Sequence, residues 1–272
     1  MSGPVLVLGG HGFLGSSVCL ALEKAGREFV RTTRTGIPPV DLLDREKLGL
    51  CLREHQPEAI VCAAGIASVA AADSNPDLCF RTNVTGVSNL VEAINREVPS
   101  AHLTLISSAA VYAPSGTPLT EDSPTAAGSI YGASKLAAEK IADWHAASGG
   151  PIAVLRCFNL IGPGQSREQA PGEFAEAAAA AGEESGKRAV VRVRSPEIRR
   201  DFTDVRDAGE AIARVAIDRL TGTFNLCSGR TLSLADLAGL FENLEIEASL
   251  EARGSDPDVV AGDPGRLHAA TG

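Results

Sequence analysis

The stretch Val5-Leu-Val-Leu8-Gly9-Gly10-His11-Gly12-Phe13-Leu14-Gly15 decides the fold. Four consecutive apolar residues read as a strand buried on both faces. The glycines read as a sharp turn, and a helical pattern then runs to Ala25, with Gly26 just past its end. Such a turn needs glycine because the chain bends tightly and because a pyrophosphate reaches a helix N-terminus only where no side chain intervenes. Gly9, Gly12, Phe13, Leu14 and Gly15 are therefore a candidate dinucleotide loop. A plain tight turn would carry the same glycines; the position directly after an N-terminal strand favours the binding site.

Outward from this loop, short apolar runs alternate with helical patterns for about the first 160 residues. Glu28–Thr33, Ala59–Cys62, Leu103–Ile106 and Ile152–Leu155 read as strands. Asp44 caps a short helix ending before Pro57, and Asn75-Pro76 starts another that reaches about Arg96, since proline's missing N–H costs nothing at the first helical position. Ile130–Ala146 is a third helix after the loop helix. Strands and helices in this alternation imply an α/β, doubly wound parallel sheet of Rossmann type. Beyond residue 163 the rhythm breaks. Ala170–Ala181, Arg206–Leu220 and Ser233 to about Leu244 read as helices, and Val190–Arg194 and Thr223–Leu226 as strands. The expected organisation is a cofactor domain over 1–163, to which later segments can return, and a small α/β substrate lobe over 164–272.

Composition narrows the function classes. The 25 Lys+Arg against 34 Asp+Glu, net −9, and 4% aromatics argue against a nucleic-acid polymer as partner and against a membrane surface. No apolar run is long enough to span a bilayer, and Met1-Ser-Gly-Pro4 lacks the basic start of a signal peptide, so a cytoplasmic location is expected. The six cysteines (19, 51, 62, 79, 157, 227) show no C-x-x-C spacing and read as small buried hydrophobes; the five histidines are equally scattered, so no metal is expected. Against the acidic total, Lys187, Arg188, Arg192, Arg194, Arg199 and Arg200 face a single acid, Glu197, which suits one bound diphosphate.

The second strand ends Arg31-Thr32-Thr33-Arg34, without the acid that grips a ribose 2′-hydroxyl in NAD sites. Two guanidinium groups and two hydroxyls suit a 2′-phosphate through charge-assisted bonds, so NADP(H) is expected over NAD(H); a solvated basic loop is the bland alternative. Tyr131 and Lys135 are i, i+4 neighbours on a helix. An ammonium beside a phenol favours the phenolate, which suits Tyr131 to giving a proton to a carbonyl that accepts hydride. Ser107-Ser108 closes the preceding strand, where a hydroxyl can bond the same carbonyl oxygen.

Together with Cys62-Ala-Ala-Gly65, Asn83-Val-Thr-Gly86, Ser107-Ser-Ala-Ala-Val-Tyr112, Arg156-Cys-Phe-Asn159, Gly162-Pro-Gly-Gln165, Arg200-Asp-Phe-Thr-Asp-Val205 and Asn225-Leu-Cys-Ser-Gly229, these features give a resemblance that runs almost end to end. The sequence resembles the extended short-chain dehydrogenase/reductases, specifically the nucleotide-sugar epimerase/dehydratase family. The resemblance implies a catalytic set of Ser108, Tyr131 and Lys135, with Lys135 also holding the nicotinamide ribose. It places Thr33 where NAD-using relatives carry the ribose-binding acid, with Arg34 beside it. Asp41 and Leu42 match the adenine-contacting pair, Ala63, Ala64 and Gly65 the turn over the cofactor, and Asn83 and Phe158 further cofactor neighbours. Asn159 and Arg200 match residues that meet a substrate diphosphate. Relatives often pair as homodimers through two helices, and they continue beyond the point where this chain stops, at Gly272.

Departures from the family pattern sharpen the expected reaction. Ser108-Ala109-Ala110 stands where 4,6-dehydratases resemble Thr-Asp-Glu, and alanine moves no proton. The Cys of 3,5-epimerase/reductases is absent at Ala110 as well. A hydride and one proton remain. The expected function is an NADPH-dependent reductase of a nucleotide-linked 4-keto-6-deoxyhexose, with a pattern similar to the GDP-4-keto-6-deoxymannose reductase branch in Asn159–Gln165, Arg200–Asp207, Asn225–Gly229 and Asp256–Asp263. A nucleotide-sugar 4-epimerase and a non-catalytic dinucleotide sensor are the alternatives.

Overall fold

A computed structural model describes residues 3–35, 39–182, 188–249 and 258–272. Met1, Ser2, Lys187 and Asp256-Pro257, which the sequence reading used, lie outside the described residues. In chain order the elements are β1 (Val5–Leu8), α1 (Phe13–Lys24), β2 (Phe29–Thr32), α2 (Arg45–His55), β3 (Ala59–Cys62), α3 (Val69–Ser74), α4 (Pro76–Phe80), α5 (Gly86–Glu97) and β4 (His102–Ser108). There follow α6 (Ile130–Ala147), β5 (Ile152–Cys157), β6 (Asn159–Ile161), α7 (Ala170–Gly182), β7 (Ala189–Val193), β8 (Arg199–Asp204), α8 (Val205–Ile217) and β9 (Gly222–Leu226). The last are β10 (Thr231–Ser233), α9 (Leu234–Ala238), β11 (Leu244–Ala248), β12 (Val259–Val260) and α10 (Gly265–Thr271).

Six parallel strands form the main sheet in the order β2-β1-β3-β4-β5-β9. Both faces are covered, which is why the strands read as unbroken apolar runs. Along β1 the faces alternate: Leu6 and Leu8 enter a core with Leu48, Leu90 and Leu103, and Val5 and Val7 enter the opposite one with Val18, Leu22 and Ile212. Each such buried side chain contributes roughly 1.5–3 kcal/mol against leaving it in water. The chain reverses direction across the sheet between β1 and β3, the point where ligands bind in open α/β sheets. Strand β9 returns to this sheet from far along the chain, and α8 packs on α1 where Gly209 lies against the Ser17 backbone.

The smaller structure has its own core, in which Phe174 of α7 meets Val191, Val193, Leu237 and Leu244. Here β8 is central: it pairs with β6 and β12 in parallel and with β10 antiparallel, while β7 pairs with β11. Two readings are corrected. The helix begun at Ser233 stops at Ala238, and Leu244 belongs to a strand, because residues 244–248 pair with residues 189–193. The helix from Pro76 to Glu97 is interrupted by a π-type turn over Arg81–Thr85, which carries the buried Asn83.

Candidate active site

The loop after β1 is shaped by backbone crowding. Gly9 has a φ of +82°, a left-handed conformation that favours glycine. A Cβ at Gly15 would lie 2.2 Å from the Gly9 carbonyl oxygen, so the first turn of α1 sits directly on the loop. Gly12 precedes α1 without a side-chain cap, and no acid occupies the first turn. The amides of Phe13, Leu14 and Gly15 therefore face the loop at the positive end of the helix, a donor set that fits a pyrophosphate. The Ala63 amide donates to the Leu8 carbonyl (3.0 Å), which brings Ala63 and Ala64 against Gly9 at the sheet edge.

Thr33 follows β2, and its carbonyl accepts from the Val40 amide (2.9 Å). Beyond it, an open groove of about 660 Å³ is lined by Arg34, Asp41, Leu43, Asp44, Arg45 and Lys47. Asp41 is occupied in its own turn, accepting from the Leu43 amide (2.9 Å), and Leu42 buries its side chain beside Gly86. Arg45 pairs with Glu92 and Lys47 with Asp44, whereas Arg34 is exposed and has no partner among the described residues. Hydrogen bonds from Lys47 hold the Asp44 carboxyl below the usual aspartate range.

Ser129 caps α6 by accepting from the Gly132 amide (3.0 Å), which sets the helix start one residue before Tyr131. A Cβ at Gly132 would fall 2.3 Å from the Ala110 carbonyl oxygen, so α6 lies flat against the turn that follows Ser108. This contact sets the start of α6, which carries Tyr131, against the turn that Ser108 begins. Ser108 Oγ accepts from the Ala110 amide (3.2 Å) and keeps its own proton; neither that proton nor the Tyr131 hydroxyl has a partner among the described residues. Lys135 is buried, with Nζ 6.0 Å from the Tyr131 ring centroid and donating to the Ile106 carbonyl (3.0 Å). A Cβ on Gly65 would lie 3.7 Å from the same Nζ. Asn83 spends its amide on that loop, accepting from the Ile66 amide (2.9 Å) and donating to the Ile66 carbonyl (3.1 Å) and to Ser134 Oγ (3.0 Å).

Not every residue singled out from sequence turns its side chain to the cleft. Phe158 is buried with Val111, Tyr112 and Cys227, its ring 6.3 Å from that of Tyr112. Asn159 on β6 donates to the Asp201 carbonyl (3.2 Å), and Arg200 on β8 donates to the Arg199 carbonyl (2.9 Å), so these two lie on adjacent strands. The sequence reading missed Asp201, whose fully buried carboxylate accepts from Ser228, Gly229 and Gly262 and ties three segments at the lobe's edge. It also missed Glu139 and Arg156, a buried pair next to Ser107. All six cysteines are free and buried; burial pushes the Cys62 thiol up to about 11, with the Lys135 charge opposing. Among the described residues no three His, Cys, Asp or Glu cluster as a metal site would need, and no helix is long and apolar enough to cross a membrane.

Residues 5–227 match the NAD dependent epimerase/dehydratase family. The chain belongs to that family. The GDP-6-deoxy-D-mannose reductase of Pseudomonas aeruginosa is 30% identical over all of this chain and 92% of its own length. The UDP-glucose 4-epimerase of Bacillus subtilis is 33% identical over 58% of this chain and 53% of that protein. Among solved structures, RMD from Pseudomonas aeruginosa complexed with NADPH superposes with a TM-score of 0.86 at 29% identity, covering 99% of this chain and 92% of that one. The Thermus thermophilus UDP-glucose 4-epimerase complex with NAD gives 0.86 at 26%, covering 98% and 92%. The fold is that of a dinucleotide-binding epimerase/dehydratase, and reductases and epimerases both stand among its relatives.

Proposed function

We propose that this family member is an NADPH-dependent reductase of a nucleotide-linked 4-keto-6-deoxyhexose. The observation that carries the reading is the pair of unpartnered hydroxyls, Ser108 and Tyr131, beside a buried Lys135, with only alanines at 109 and 110. Bound NADPH supplies hydride to the C4 carbonyl carbon. Tyr131 gives its proton to the carbonyl oxygen as charge develops there, and Ser108 donates a hydrogen bond to that oxygen. The Lys135 ammonium stabilises the phenolate that Tyr131 leaves behind. Without a carboxyl at 109 or 110, nothing expels the 6-hydroxyl, so the chemistry stops at one hydride and one proton. The loop amides over Phe13–Gly15 take the pyrophosphate and Arg34 the 2′-phosphate, while Asn159 and Arg200 meet the sugar-nucleotide diphosphate. The full-length likeness to the Pseudomonas reductase supports this reading.

A 4-epimerase is the second reading, favoured by the likeness to UDP-glucose 4-epimerases. The test is a panel of GDP-, TDP- and UDP-4-keto-6-deoxysugars with NADPH and with NADH, products read by NMR. Reduction driven by NADPH is expected. Interconversion of nucleotide sugars with no added cofactor would replace the reductase by the epimerase.

A further inference from the structure

Glu139 is buried on α6, one turn beyond Lys135, and its carboxylate is gripped from two sides. Ser107 Oγ donates to Oε1 (2.5 Å), and Arg156 donates through Nε (3.1 and 3.3 Å) and Nη2 (2.8 Å). Arg156 is buried too, donates from Nη1 to the Glu121 carbonyl (3.0 Å), and lies 4.8 Å from the Tyr112 ring centroid. Burial opposes the Arg156 cation, yet the hydrogen bonds it donates to Glu139, together with the charge of that carboxylate, hold its pKa above the ordinary arginine value. Strand register sets Ser107, Arg156 and Asn225 side by side on β4, β5 and β9. Helix α6 is thus stitched to the end of β4 at two successive residues: Lys135 to the Ile106 carbonyl and Glu139 to Ser107. The next residue is Ser108.

Stability alone does not call for such a pair. Desolvating two charges offsets most of their attraction, and apolar side chains of the same volume serve a core as well. A carboxylate forked by arginine does give a fixed geometry. We propose that Ser107 and Glu139 are positioning residues, in which the Arg156-held carboxylate fixes Ser107 and so sets the separation of the Ser108 hydroxyl from the Tyr131 phenol. The inference rests on the assignment of Ser108 and Tyr131 to the reacting carbonyl.

Ser107→Ala deletes one oxygen and leaves the ion pair whole. A misplacement near 1 Å costs roughly a hundredfold, so kcat for the keto-sugar is expected to fall about tenfold or more, with KM and NADPH affinity within about twofold. Ser107→Thr, which restores a hydroxyl, is expected to recover most of the loss. An unchanged kcat in Ser107→Ala, or a Thr variant no better than the Ala variant, overturns the proposal. The chain has two tyrosines, so 13C-tyrosine NMR of the NADPH complex gives two ring signals, assigned with Tyr131→Phe. The Tyr131 signal is expected to shift in Ser107→Ala and in Glu139→Gln and to return in Ser107→Thr; an unmoved signal overturns the positioning role. A wild-type protein that reduces no nucleotide sugar counts against the reductase alone, because the tyrosine signal does not depend on turnover.

Discussion

Replacing Arg34 by alanine separates the two cofactors. Three cations line the groove beyond β2, but Arg45 is matched by Glu92 and Lys47 by Asp44, so Arg34 is the one without a partner among the described residues. A ribose 2′-phosphate carries a charge of about −1.5 to −2 near neutral pH. A hydrogen bond to a charged group contributes roughly 1.5–3 kcal/mol, and exposure with a Debye length of about 10 Å in 0.1 M salt trims this to ~1–2 kcal/mol. Arg34→Ala should therefore weaken NADPH by about 5- to 30-fold, since each 1.4 kcal/mol is a factor of about ten. NADH has no 2′-phosphate, and its affinity should change by less than about twofold. Isothermal titration of both nucleotides at two salt concentrations reads the effect, and the wild-type preference for NADPH should shrink as salt rises. Loss of an exposed side chain without partners leaves the melting temperature nearly unchanged, which serves as the control. Equal losses for NADPH and NADH would refute the 2′-phosphate assignment.

Tyr131→Phe removes the proposed proton donor and should lower kcat by about 10²- to 10⁴-fold with little change in KM, measured by NADPH oxidation. Gly132→Ala puts a Cβ 2.3 Å from the Ala110 carbonyl oxygen, a backbone atom that cannot swing aside, so α6 must shift. The expected result is a kcat lowered at least about tenfold with NADPH binding retained, and unchanged kinetics would contradict the contact. His145 is fully buried, neither ring nitrogen has a hydrogen-bond partner among the described residues, and burial lowers its pKa. A lowered folded pKa means the unfolded chain takes up the proton first, so this stabilisation is complete above the unfolded value of about 6.5 and drains as pH falls below it. His102 behaves alike, with burial the larger cause and its bond to the Leu220 carbonyl opposing. Unfolding free energies from urea titrations should fall between pH 7.5 and 5.5, by up to ~1.4 kcal/mol per pH unit for each histidine, and His145→Leu should flatten the slope.

The parts legible from sequence were those governed by local rules. Apolar runs with both faces buried gave themselves away at β1, β3, β4 and β5, and the caps at Asp44 and Asn75 bond the amides three residues on, Lys47 and Leu78. Tyr131 and Lys135 were readable because a helix turn joins them. Strand β8 was not readable, since Arg199-Arg200-Asp201-Phe202-Thr203-Asp204 is polar and becomes a strand only through β6, β10 and β12. Asp201 stands inside the Arg200–Val205 stretch with nothing local to mark it as buried, and amides from residues 228, 229 and 262 make its burial tolerable. The Glu139–Arg156 pair left a fainter signal: an acid one turn past Lys135 and a lone arginine inside an apolar strand. Neither residue names its partner, because the pairing belongs to the packing of α6 on the sheet.

In the proposed site, reduction and epimerisation would both draw on Ser108, Tyr131 and Lys135, so the end of the cleft where bonds change does not separate them; the fate of the cofactor does. An epimerase keeps its nucleotide through every turnover, whereas a reductase must release it oxidised and take it up reduced. The glycine loop and its helix would serve both, and Arg34, the residue proposed to take the 2′-phosphate, sits exposed in an open groove. An exposed, salt-screened contact of ~1–2 kcal/mol tips selectivity without locking the nucleotide in place. The protein should accordingly purify with little bound nucleotide, its 260/280 nm absorbance ratio that of protein, and a few minutes of dialysis should strip added NADPH. A preparation that retains stoichiometric NAD after gel filtration would leave the exchange argument without its footing, and would turn Arg34 into a bystander at the edge of an epimerase.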